Sequence, residues 1–180
     1  MKKTLFGMAA IIFLVNSHIF AEEALEKNNN GSVLGIENLK NHYPIKHSVI
    51  DDLSYFGEDL LKYSNELAAK RQQTDDARIG KLKVIRIDIL LLERDIRGVV
   101  TVLAVEYEHG QEKQFSVTAL FAINRYIESI VKKLNIMLDF YNDIKSKEKD
   151  GKMIKEVEQC IAYHAKAKEF LAEIGKQLSQ

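Results

Sequence analysis

The sequence predicts an all-α protein, an elongated antiparallel four-helix bundle. Three observations carry this. No proline occurs between Pro44 and Gln180, so nothing in that stretch breaks a long helix. Apolar residues recur there at alternating steps of three and four, the spacing of one helical face. Short polar breaks separate four such runs, which is the patterning of an up-down-up-down bundle with shallow, coiled-coil-like crossings.

The first run starts near Ser48, a capping residue type, with Asp51 three residues on. Val49, Leu53, Phe56, Leu60, Tyr63 and Leu67 form its stripe, and the polar residues Arg71, Gln72, Gln73 and Thr74 end it. The second run starts near Asp75 or Asp76. Leu82, Ile85, Ile89, Leu92, Ile96, Val99 and Leu103 form one stripe, and Val84, Ile87, Leu91, Gly98 and Val105 form another beside it. Two apolar stripes mean burial on two sides, either at the centre of the domain or against a partner. Val84, Ile87, Leu91 and Val105 are therefore the candidate interaction face.

The third run holds Leu120, Ile123, Ile127, Ile130, Leu134, Met137, Tyr141 and Ile144. Residues 148–152 (Glu-Lys-Asp-Gly-Lys) break it. The fourth holds Met153, Val157, Cys160, His164, Ala167, Leu171, Ile174 and Leu178.

An α+β alternative attaches to residues 99–119. Val and Thr are frequent there, His109-Gly110-Gln111-Glu112 is turn-like, and Phe115, Val117 and Ala119 alternate with polar or small residues. That composition suits a β-hairpin between two long helices. The three-four spacing runs into the stretch without a slip and favours helix.

The N-terminus reads as an address. Lys2 and Lys3 precede an almost unbroken apolar run over residues 5–15, and Ala21 offers a small residue at a cleavage point before Glu22 and Glu23. This is the pattern of a signal peptide over residues 1–21, too short for a comfortable transmembrane span. The expected location is the periplasm, with secretion as the alternative. Residues 22–46 carry Asn28-Asn29-Asn30-Gly31-Ser32 and Pro44, which is the chemistry of a flexible tail. Residues 47–180 then form a single helical domain.

Composition removes several function classes. Lys+Arg and Asp+Glu both number 26, so net charge gives no reason to expect nucleic acid as a partner. A single cysteine excludes a disulfide framework. There is no phosphate-binding Gly-x-x-x-x-Gly-Lys-Ser/Thr, no Gly-x-Gly-x-x-Gly and no Gly-x-Ser-x-Gly. Calcium-loop spacing is missing from the acidic residues 139–151.

The remaining chemistry sits on few residues. Cys160 and His164 share one face of the fourth run, one turn apart. The pair has the types of a nucleophile and base or of two metal ligands, but free cysteine is among the most buried residue types, and core filling is the preferred reading. His164 is the weak candidate for a cofactor, with Met137 or Met153 as second haem ligand by residue type only. Glu106-x-x-His109 has half of a di-iron spacing and lacks its second copy. Glu93 and Arg97 are four apart in the order that favours a helix. Arg86 and Asp88 lie in an apolar stretch and need partners if that helix is central, with local pairing and snorkelling at the bundle rim as the preferred reading over a polar contact that sets a partner's register.

The expectation is a non-enzymatic exported protein without a cofactor or metal. It acts by protein–protein interaction in envelope assembly, as a chaperone-like bundle or as a secretion accessory. Its partner is another envelope or secreted protein, or a second copy. A membrane- or lipid-interacting protein using the apolar stretch 99–121 is the alternative. A haem, metal or ligand-binding bundle ranks below both.

Overall fold

A computed structural model describes residues 45–72, 75–112 and 117–178, apart from the side chains of a few residues near the helix ends. The expected signal peptide and nearly all of the expected tail lie outside the described residues. All described residues belong to one compact unit.

Four helices make up that unit: α1 (His47–Gln72), α2 (Asp76–Glu112), α3 (Val117–Lys147) and α4 (Gly151–Leu178). They are 26, 37, 31 and 28 residues long. At 1.5 Å per residue they run about 40–55 Å. The β-hairpin alternative is overturned. Residues 99–112 continue α2 and 117–119 open α3, because Val99 and Leu103 keep the α2 stripe in the core, fully buried. Tertiary burial of that stripe outweighs the β preference of the valines and threonines.

Helix ends follow local capping chemistry. α1 starts at His47, one residue before the expected cap, with His47 Nδ1 2.9 Å from Asp51 Oδ2. Packing begins still earlier, since Ile45 is buried in the core. Asp75 caps α2 by accepting from the Arg78 N–H at 3.2 Å, and Asp150 caps α4 by accepting from the Lys152 N–H at 3.0 Å. Glu148 accepts from the Lys149 and Asp150 N–H groups, which fixes the short α3–α4 turn.

The stripes read from the sequence form the core. Leu53, Phe56, Leu60, Tyr63 and Leu67 of α1 are buried, as is the full α2 series from Leu82 to Leu103. Ile123, Ile127, Ile130, Leu134 and Tyr141 of α3 meet the α4 series from Met153 to Ile174. Leu120, Met137 and Ile144 are only half-buried.

The helices pair as two hairpins, α1 with α2 and α3 with α4, which pack closely. Small residues line both contacts. Gly57 of α1 is buried, and a Cβ there would meet Ile96 of α2 at 3.7 Å. Ser64 is buried one heptad further on, and its carbonyl accepts from Arg86 Nε at 3.3 Å. At the α3–α4 seam a Cβ on Gly175 would stand 3.4 Å from Asn124 Oδ1 and 4.0 Å from Ile127.

Larger side chains fill the seams between the hairpins. Phe56 stacks with Phe170 at 5.5 Å, and Tyr63 with Tyr163 at 5.0 Å, across α1 and α4. Tyr126 and Tyr141 of α3 reach Gly98 and Asp88 of α2. Polar contacts also tie the hairpins together: Tyr63 donates to Glu156 at 3.1 Å, Lys70 pairs with Glu156 at 2.8 Å, and Arg78 pairs with Asp150.

Gly80 tests the helix account cleanly. It sits on the exposed side of α2, and a Cβ there meets nothing within 4 Å. Gly80→Ala should therefore stabilise the domain by about 0.5–1 kcal/mol through lower backbone entropy in the unfolded chain. Urea denaturation checks it. An unchanged or lower midpoint would mean that α2 does not extend past this point.

Candidate functional site

Two features of the bundle answer to the residues singled out in the sequence: a buried polar cluster around His164, and the outer face shared by α2 and α3.

The cluster joins three helices. Cys160 and His164 lie one turn apart on α4, both buried, Cys160 fully. His164 Nδ1 is 2.8 Å from the Cys160 carbonyl oxygen and 3.6 Å from Cys160 Sγ. A carbonyl only accepts, so Nδ1 carries the proton and donates to it; the tautomer follows from this network. The nitrogen nearest the thiol is therefore a donor and cannot take the thiol proton. Burial pushes the Cys160 thiol well above its ordinary range, with Asp88 adding to it and the Tyr141 hydroxyl opposing. Burial likewise lowers the His164 pKa, against the Cys160 carbonyl, while Lys133 lowers it further. A neutral thiol beside a neutral imidazole is not an activated nucleophile.

Tyr141 of α3 stacks on His164 at 5.6 Å and donates its hydroxyl to Asp88 of α2. Burial raises the Asp88 pKa, opposed by the Tyr141 hydrogen bond and by Lys133. Beside it, Lys133 bridges to Asp95 at 2.6 Å. The partners demanded for Arg86 and Asp88 therefore exist, but they are cross-helix rather than local: the Ser64 carbonyl for one, the Tyr141 hydroxyl for the other. Glu93 and Arg97 do pair locally, one turn apart.

No group of three or more His, Cys, Asp or Glu residues among those described is arranged to hold a metal ion. Met153 stands on the same helix as His164, about 16 Å along its axis, too far to share an iron with it. Met137 is half-buried against the core. Glu106 lies on α2, and the side chain of His109 is outside the described residues.

His164 gives a pH prediction. An unfolded histidine takes up its proton as the pH falls through 6.5, whereas the folded one resists until a lower pH. The stability it contributes is complete above 6.5 and is lost as the pH falls from there through the depressed folded value. Asp88, with a raised pKa, acts in the opposite sense. Comparing wild type with His164→Gln isolates the histidine: the stability difference between them should shift against the wild type below pH 6.5. Parallel profiles would show that His164 titrates alike in the folded and the unfolded chain.

The outer face carries the four candidate interaction residues. Ile87 is 44% and Val105 45% exposed, while Val84 and Leu91 are half-buried. Sequence reading missed what stands beside them. From α3, Ile136 is 55% and Tyr126 40% exposed. The Tyr126 hydroxyl lies where a Cβ on Gly98 would be, at 2.8 Å, so this glycine lets the ring cross α2. Asp95 and Lys133 bridge the floor of the seam, and their neighbours Arg94 and Lys132 stand exposed on its two rims. The structure thus brings the second α2 stripe against α3 and covers it only in part. The signal for the α3 contribution was Ile136, an apolar residue off the α3 core stripe.

Among known proteins, the chain matches no family model, and no curated protein or solved structure is significantly similar to it.

Proposed function

We propose that this is an exported, non-enzymatic helical protein that acts by protein–protein interaction through the outer face of α2 and α3. The carrying observation is the set of large apolar side chains that the bundle leaves uncovered there: Ile87, Val105 and Ile136. Singly exposed apolar residues are ordinary, but these lie along one seam rimmed by Arg94 and Lys132, as an apolar strip with a polar border does at interaction sites. The quenched Cys160–His164 pair supports the non-enzymatic part. The Lys2-Lys3, apolar and Ala21 pattern supports export. An envelope protein partner, in assembly, chaperone-like or secretion-accessory work, fits that location.

Native mass spectrometry of the protein isolated from its own host's envelope tests this. The expected result is a chain beginning after Ala21 with an added polypeptide mass. A bound lipid, haem or metal in place of a polypeptide would overturn it.

A membrane-surface reading has its own observation. Val102, Val105 and Phe121 are exposed near the α2–α3 connection, and Arg125 lies over the Phe121 ring at 5.2 Å. Such an apolar tip with a basic neighbour suits an anionic bilayer surface. No helix among the described residues is long and apolar enough to cross a membrane. Liposome flotation decides it: binding that is lost in Phe121→Ser supports this reading, and no flotation on neutral or anionic vesicles removes it.

A further inference from the structure

The outer stripe of α3 has a charge order that matches its own reverse. Lys132, Ile136 and Asp139 follow at i, i+4 and i+7 and so share one face of the helix. All three are exposed. Basic residues precede Ile136 on this stripe, and Asp139 and Asp143 follow it. Neither Lys132 nor Asp139 forms an ion pair among the described residues, although most neighbouring charges do: Lys133 pairs with Asp95, Asp143 with Lys147 and Arg125 with Glu128. Alongside, α2 contributes Ile87 and Leu91. The Asp95–Lys133 bridge aligns the two antiparallel helices, so Ile87 and Leu91 stand near the level of Ile136 and Asp139.

We infer that the occupant of this face is a second copy of the same chain, docked antiparallel about a two-fold axis near Ile136. A two-fold contact is self-complementary: where one residue meets a second across the axis, the second meets the first in return, and only a residue on the axis meets its own counterpart. Here the axis sets Ile136 against Ile136 of the partner and flanks them with Ile87 and Leu91 from both copies. Lys132 and Asp139 are two turns apart, about 10 Å along the helix, and Ile136 lies between them. Reversal about Ile136 therefore brings each Lys132 opposite the other chain's Asp139. A parallel arrangement would set like charges together. The inference rests on the interaction reading above and specifies its partner.

Charge exchange tests it with the full chain. Lys132→Glu and Asp139→Lys both alter exposed positions, and circular dichroism verifies that the helices persist. In sedimentation velocity, wild type should dimerise with rising concentration. Each variant alone should dimerise roughly tenfold more weakly or worse, because like charges then face each other twice across the axis. An equimolar mixture of the two variants should recover a one-to-one heterodimer, since every facing pair is again opposite in sign. A wild type that stays monomeric across the micromolar range overturns the self-association. A dimer indifferent to both exchanges overturns this face as its seat. Neither result bears on a different polypeptide partner, which native mass spectrometry detects separately.

Discussion

Ile127→Asp should abolish cooperative folding, or come close to it. Ile127 is 2% exposed on α3 and faces α4, where its Cγ2 lies 4.0 Å from the position a Cβ on Gly175 would take. Replacing it forfeits roughly 1.5–3 kcal/mol of apolar burial. It also places a carboxylate among Ile123, Ile130 and Ile174 with no cation to meet it, which costs several kcal/mol more unless the group stays protonated. A domain of this size holds about 5–15 kcal/mol in all. Thermal melting should therefore broaden or vanish. Ile127→Val, which removes one methylene and adds no charge, should cost only about 0.5–1.5 kcal/mol. A near-normal melt for the aspartate variant would mean that this side of α3 does not face the core.

The second large effect is expected at Tyr141. Its hydroxyl donates to Asp88, and both groups lie in the α2–α3 seam. Tyr141→Phe keeps the ring on His164 but leaves the carboxylate without that donor. Loss of a buried partner of this kind costs about 1–3 kcal/mol. The loss also carries a pH signature. Asp88 has a raised pKa through burial, and the hydroxyl acts against that rise. Removing the hydroxyl lifts the pKa further. A raised acid contributes its full stability below its unfolded value of 3.8, and that contribution falls as the pH climbs through the folded value. The variant should accordingly be weakest near neutrality and recover relative to wild type in mild acid. Asp88→Asn added to Tyr141→Phe should remove the pH dependence, because no charge is then left to bury. Urea titrations at several pH values measure both. Equal destabilisation at all pH values would show that the hydroxyl does not act on the Asp88 titration.

These residues show why parts of the molecule were legible in the sequence and others were not. The alternating stripe from Leu82 to Leu103 and that from Met153 to Ile174 are buried as their spacing requires, because helical periodicity is local. Residues 99–112 were ambiguous because β-branched composition and helical spacing disagreed, and packing of Val99 and Leu103 settled the matter. The polar cluster was only half visible. Asp88 announced its need for a partner by standing in an apolar run, yet Tyr141 is 53 residues away and meets it only through the relative rotation of α2 and α3. Nothing in the local pattern of either helix encodes that rotation, which goes with packing between the hairpins, where Phe56 meets Phe170 and Tyr63 meets Tyr163. The outer face was legible on the α2 side through its second stripe. On the α3 side a single off-stripe isoleucine was too weak a signal to pair with it.

The outer α2–α3 face is proposed above as the place where this protein meets its partner. Site-specific photo-cross-linking in the native envelope tests it most directly. A photo-reactive residue would replace Ile136 in one variant and Leu61, exposed on α1, in another. Adducts to a defined polypeptide, a second copy or a different protein, should form from position 136 and not from position 61. Equal labelling from both positions, or adducts from position 61 alone, would contradict the account.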